Sequence, residues 1–341
     1  MTAHSPDPTT PATTPGAAPA DAQAQGSPST DAAAVRTDPA RARHYGQFYG
    51  LLPLPEGGRP LLVVHGNCQA ESLRQLLQEA PDSPWSSVRV PPVHELAADE
   101  VALVQRLLQR ADVVLTQPIG EDYHGLPLGT AQVRATASRA RTLVWPVIRY
   151  AGLHPWQIVH NHPDAGDPPV VPYHDARTLV LASQGRRLGP GSHADPQVSA
   201  WSIAELRRRE EAAGAVPVSD LVLAAGSGAT RTINHPANPV LIGLARRVQE
   251  ALGLAATAVD PGRRLLDAIH APIEPQVLDA LGLDQGEARH DWLVGGEVVT
   301  DETVVETQLE WLRARPRVLA DIVERHHEQI AMHLAADEAS T

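Results

Sequence analysis

The stretch Leu61-Leu-Val-Val-His-Gly-Asn-Cys-Gln-Ala-Glu-Ser-Leu constrains the fold more than any other part of the chain. Leu61 to Val64 make a short apolar run suited to a buried strand, and Leu73, Leu76, Leu77 and Ala80 recur at the spacing of one helical face. A tight turn must therefore carry the chain from strand straight into helix. The pattern continues downstream. Residues 88–93 predict a strand, 99–110 a helix with Val101, Val104, Leu107 and Leu108 on one face, and 113–115 a short buried strand. Residues 142–145 and 177–181 predict two more strands. Strands alternating with helices predict an α/β fold, a parallel sheet flanked by helices. In such a sheet ligands bind beyond the carboxyl ends of the strands.

Cys68, the only cysteine of the chain, falls in the first of these turns, at or just before the helix N-terminus. A lone cysteine is often no more than a small apolar filler. Here Gly66 to Ala70 follow the glycine-x-nucleophile-x-small pattern of a strand-to-helix elbow. Unpaired backbone N–H groups and the helix dipole are expected to favour the thiolate and to offer an oxyanion hole. Asn67 and Gln69 add amide donors on either side, and Gln117, at the end of the neighbouring strand, either donates to an oxyanion or caps the turn before Pro118.

The chain has 341 residues, 43% of them hydrophobic and 20% charged, enough for a full core. Residues 1–43 are rich in Pro, Thr, Ala, Ser, Asp and Gln with almost no large apolar side chains, and are read as a disordered low-complexity segment. Residues 44–255 form the α/β catalytic core, entered through His44-Tyr-Gly-Gln-Phe-Tyr. Residues 256–341 are expected to be a mainly helical extension packing on it. The net charge of -12 argues against nucleic acid as a partner, since the densest basic cluster, residues 207–209, reads as a solvated helix face. A single cysteine excludes an internal disulfide and a cysteine-rich zinc site. No signal-like N-terminus and no apolar run near the roughly 18 residues of a membrane span are visible, so a cytoplasmic location is expected.

A cysteine nucleophile needs a base, and histidine is the usual one at neutral pH. His235, between Asn234 and Pro236 at the entry to a helix carrying Leu241, Leu244, Val248 and Leu252, is the first choice; His154 is the second. His65 adjoins the turn but belongs to the strand, where alternation points it elsewhere. Asn238 suits an N-cap and Pro239 the first helical position. His154, His160, His162 and His174 with Asp164, Asp167 and Asp175 are metal-ligating types, but their spacing matches no zinc pattern and no metal is expected. The run Ala224-Ala-Gly-Ser-Gly-Ala-Thr-Arg lacks the Gly-Lys-Ser/Thr ending of a P-loop.

The segments Val63-Val-His-Gly-Asn-Cys-Gln-Ala-Glu-Ser-Leu, Thr116-Gln-Pro, Trp145-Pro-Val-Ile-Arg-Tyr-Ala-Gly-Leu-His-Pro and Asn234-His-Pro-Ala-Asn together resemble the WcbI-type polysaccharide biosynthesis acetyltransferase family over about residues 60–255. The resemblance implies an SGNH-hydrolase-like fold, coenzyme A or acetyl-CoA as co-substrate, and O-acetylation of capsular or surface glycans. It makes Cys68 the nucleophile, His235 its base, and Gln69 and Gln117 oxyanion or positioning groups, and the flanking amide of Asn67 is expected to join them. Arg231, Asn234, Asn238 and His154 are expected around the cofactor. Ile148-Arg149-Tyr150 replaces the family's aromatic-rich loop, so acceptor specificity is expected to differ. An esterase using the same site, with water in place of the sugar, is the near alternative. A non-catalytic CoA- or ligand-binding protein is the distant one, and self-association stays open.

Overall fold

The computed structural model describes residues 39–55, 58–162, 164–188 and 196–339. Its centre is a sheet of four parallel strands: β1 (Leu61–His65), β2 (Ser86–Ser87), β3 (Val113–Thr116) and β4 (Arg141–Val144), in the order β2-β1-β3-β4. β1 and β3 pair from Leu62 opposite Val113 to His65 opposite Thr116, so both end at the same level. Helices α1 (Gln69–Gln78) and α2 (Val101–Arg110) follow β1 and β2. Because successive side chains of a strand face opposite ways, Leu62, Val64 and Leu115 join Leu73, Leu76 and Leu77 of α1 on one face. Val63 and Val114 join Val104, Leu107 and Leu108 of α2 on the other. The fold is α/β, with its sheet covered on both sides.

Beyond the sheet come α3 (Ala176–Gln184), the short paired strands β5 (Thr230–Thr232) and β6 (His235–Pro236), and α4 (Asn238–Ala251), which packs on α1. Residues 177–181 are thus helical rather than a strand: the Asp175 side chain accepts from the Arg177 N–H and starts α3, and Gly185 at φ 68° ends it. Residues 88–93 are not a strand either, because Pro91 and Pro92 offer no N–H to a ladder, and only Ser86–Ser87 pair with β1.

The C-terminal region is less helical than expected. It first forms an antiparallel sheet of β7 (Ile269–His270), β8 (Trp292–Val294) and β9 (Glu297–Val299), and then α5 (Asp301–Arg313), α6 (Pro316–Arg325) and α7 (His327–Ala339). Leu312, Leu319 and Ile322 pack with Leu179 and Val180 of α3. Most of the expected disordered N-terminal segment lies outside the described residues; its end, Pro39–His44, is a helix. Among the described residues no helix is long and apolar enough to cross a membrane.

Candidate active site

Cys68 is the N-cap residue of α1, just beyond the carboxyl end of β1, and is partly exposed. It lines a cleft of about 330 Å³ together with Asn67, Tyr45 and the loop around Arg264. The thiol does not behave as a helix N-terminus alone would have it. Burial pushes its pKa up to about 11 and Glu95 adds to the rise, while the Cys68 and Gln69 amides and the Arg149 guanidinium pull against them. The expected N-terminal effect is present but outweighed, so the resting group is a thiol.

The amide side chains beside it form a closed network. Gln69 Nε2 donates to the carbonyls of Ile148 and Asn234, both at 2.8 Å, and its Oε1 accepts from the Ile148 N–H at 3.1 Å. Gln117 Oε1 accepts from the Asn67 N–H at 2.8 Å, and its Nε2 lies 3.4 Å from Gln69 Oε1. Gly66 makes this approach possible, since a Cβ there would stand 2.6 Å from Gln117 Oε1. With both N–H groups of its amide engaged, Gln69 has none left for an oxyanion; it binds three segments together. Asn67 differs. Its Oδ1 accepts from the Gln69 N–H at 3.0 Å, but its side-chain nitrogen has no hydrogen bond among the described residues and its side chain lines the cleft.

The expected base, His235, has no hydrogen bond to the Cys68 sulfur and does not line the cleft. The His235 ring donates to the Ile269 carbonyl, packs edge-on against Tyr173 with centroids 6.3 Å apart, and leaves Nδ1 buried without a partner. Burial, then the charges of Arg231 and His270, push its pKa down to about 4, so the ring is neutral at rest. Its neighbour Asn234 is joined to the Cys68 turn through Gln69, and its Oδ1 accepts from the Tyr173 hydroxyl at 2.9 Å.

The other expected cofactor ligands face elsewhere. His154 is buried, with its ring nitrogens near the carbonyls of Pro272 and Thr230, and burial lowers its pKa to about 4. His65 likewise bonds the Leu128 carbonyl at 3.1 Å. Asn238 does not cap α4, because Ala237 holds that position; its amide instead donates to the Arg263 carbonyl and accepts from the Leu265 N–H. Arg231 donates to the Leu265 carbonyl at 2.8 Å and faces Asp267 at 3.7 Å. Arg231 and Asn238 thus hold the loop that walls the cleft rather than entering it. Among the described residues no group of three or more His, Cys, Asp or Glu converges as a metal site would.

Arg149 is the residue that sequence reasoning passed over. It follows Ile148, whose N–H and carbonyl are both gripped by Gln69, the neighbour of Cys68 in sequence. Its charge acts on Cys68, Tyr123 and Tyr173 alike. The signal was a lone cation inside the Trp145–Pro155 segment. A second signal was missed at residues 261–264, where a Pro-Gly turn presents two consecutive arginines to the cleft.

Residues 61–257 match the family described as polysaccharide biosynthesis enzyme WcbI. Among solved structures, WcbI, described as a novel polysaccharide biosynthesis enzyme and seen as native protein without a disulfide bond between coenzyme A and one of its cysteines, has a TM-score of 0.70. The match is 21% identical and covers 82% of this chain and 99% of that one, a likeness of fold. Among curated proteins none matches.

Proposed function

The chain belongs to the WcbI family of polysaccharide biosynthesis enzymes, and from that premise we propose that it transfers an acetyl group from acetyl-CoA to a hydroxyl of a polysaccharide or its precursor through Cys68. The observation that carries the reading is the setting of Cys68: the only thiol, partly exposed in a cleft, at a helix N-terminus, beside an unengaged Asn67 amide. The description of the related WcbI in terms of coenzyme A and a cysteine supports coenzyme A as the acyl carrier. The proposed fold type is SGNH-hydrolase-like, and the proposed acceptor a capsular or surface glycan precursor in the cytoplasm.

In the proposed reaction Cys68 sulfur forms a bond to the acetyl carbonyl as its proton leaves. Arg149 and the first amides of α1 stabilise the sulfur charge, and Asn67 donates to the oxyanion. His235, whose buried Nδ1 has no hydrogen-bond partner among the described residues, is the proposed acceptor of the proton. The carbon–sulfur bond to coenzyme A then breaks and the proton passes to the leaving thiolate. A sugar hydroxyl next attacks the Cys68 thioester, a new ester C–O bond forms, the Cys68–acyl bond breaks, and the hydroxyl proton returns to sulfur.

The raised thiol pKa favours a second reading, direct transfer in a ternary complex with Cys68 only lining the site. Intact-protein mass spectrometry separates the two. Incubation with acetyl-CoA is expected to add one acetyl mass to wild type and none to Cys68→Ala, and a suitable glycan to discharge it. Turnover by Cys68→Ala at the wild-type rate would eliminate the covalent course.

A further inference from the structure

Resting on the donor reading above, we propose that Arg264, with Arg263, forms a phosphate-recognition site on the cleft wall that takes the nucleotide end of the acyl donor and selects it over an unphosphorylated pantetheine thioester. Both arginines follow the Pro261-Gly262 turn, beyond residues 61–257 that match the family, and both line the same cleft as Cys68. Arg264 is exposed and has no hydrogen bond or ion pair among the described residues, and its charge acts unfavourably on Arg231 beside it. A cation left without an acid beside another cation is a site for an anion.

The acids of the cleft do not neutralise it. Glu71 is bound by Arg74 at 2.6 Å, and Glu95 by Arg41 at 2.9 Å, neither arginine lining the cleft. Arg263 pairs with Glu79 at 2.9 Å, but both are about half exposed, and such pairs exchange readily for a phosphate. In a chain of net charge -12 this local positive wall would draw an anion to a particular place.

The loop is also held in position. Asn238 binds the backbone on both sides of Arg264, at the Arg263 carbonyl and the Leu265 N–H, each within 3 Å, and Arg231 binds the Leu265 carbonyl. Leu266 adopts φ 53°, a left-handed conformation that a leucine keeps only under such restraint. A fixed backbone lowers the cost of ordering the arginines around a ligand.

The same cations would suit the diphosphate of a nucleotide-activated sugar, so calorimetric titration of the full chain with coenzyme A, pantetheine and uridine diphosphate is the test. Wild type is expected to bind coenzyme A more tightly than pantetheine. Arg264→Gln is expected to lose roughly tenfold or more in coenzyme A affinity, and much of its dependence on salt, with pantetheine binding unchanged. An unaltered Cys68 alkylation rate would certify the fold of the variant. If wild type binds coenzyme A and both Arg264→Gln and the double variant with Arg263→Gln bind it equally well, the inference is overturned while the donor reading stands. Weaker uridine diphosphate binding with coenzyme A unaffected overturns it by assigning the arginines to the acceptor. If wild type binds no coenzyme A, the donor reading itself fails and this inference with it.

Discussion

The two walls of the Cys68 cleft are built on opposite principles. The inner wall is the β1–α1 turn, backed in the interior by Gln117, Ile148 and Asn234, and apart from the Asn67 side-chain nitrogen its amide groups satisfy one another: Gln69 alone joins the Ile148 backbone to the Asn234 carbonyl. On the outer wall, at residues 263–266, the backbone is pinned while the Arg264 side chain is left unengaged among the described residues. The inner wall holds the thiol at a fixed point; the outer wall offers charge. The difference teaches that an amide beside Cys68 can be spent on the scaffold, while the cleft draws its unpaired charge from residues remote from Cys68 in sequence.

The comparison breaks most directly at Gln69. Gln69→Ala leaves the Ile148 N–H and carbonyl and the Asn234 carbonyl without partners in the interior, at roughly 1–3 kcal/mol for each buried group left unsatisfied. A loss of about 3–5 kcal/mol in urea denaturation is expected, with activity following stability. A variant that is fully stable yet inactive would make Gln69 a catalytic donor and dissolve the distinction between the walls.

Acid should act on the scaffold and spare the arginines. His65, His154 and His235 have pKa values pushed down to about 4, chiefly by burial. Since the unfolded chain takes up these protons near pH 6.5, the stability they contribute is fully present above that pH and is lost as pH falls toward about 4. Cys68 acts at the other end: its contribution is present below the unfolded thiol value and is lost as pH rises toward about 11. Urea midpoints are expected to be lower at pH 5 than at pH 7.5. An unchanged midpoint would mean that the buried histidines are not neutral in the fold.

Arg149 tests how far the inner wall tunes the thiol. Removing its charge as Arg149→Met takes away an influence that lowers the Cys68 pKa, so the thiolate fraction at pH 8 falls. Alkylation by iodoacetamide is expected to slow by roughly threefold to tenfold at pH 8, with the pH profile displaced upward. An identical profile would remove Arg149 from the reaction.

How much of this was legible depended on the range of the interactions. Local periodicity located β1, β3, α1 and α2, because Leu73, Leu76 and Leu77 must share a face wherever the helix lies. It misread residues 177–181, whose apolar run fits strand or helix alike, until the Asp175 cap is seen to decide it. The Gly-Asn-Cys-Gln turn placed Cys68 between a strand and a helix from sequence, where the structure has it. The pKa of Cys68 was not legible, since it depends on burial by distant segments. Arg231 and Asn238 were expected at the ligand because they lie near a helix start; only the structure shows that residues 263–265, more than twenty positions on, fold back to take their hydrogen bonds.

The smallest effect belongs to Arg231, and it discriminates between holding a site and being one. If Arg231 acts only through the Leu265 carbonyl, Arg231→Gln removes one hydrogen bond from a loop that Asn238 still anchors. One such bond is worth about 1 kcal/mol, so coenzyme A affinity should fall by at most roughly fivefold, less than for Arg264→Gln. Cys68 alkylation should not change, since Arg231 is not among the charges that act most on the thiol. A loss as large as that of Arg264→Gln, with an equal loss of salt dependence, would show the Arg231 guanidinium meeting the anion itself. The outer wall would then begin at β5, and the arginine expected from sequence at the cofactor would stand there after all.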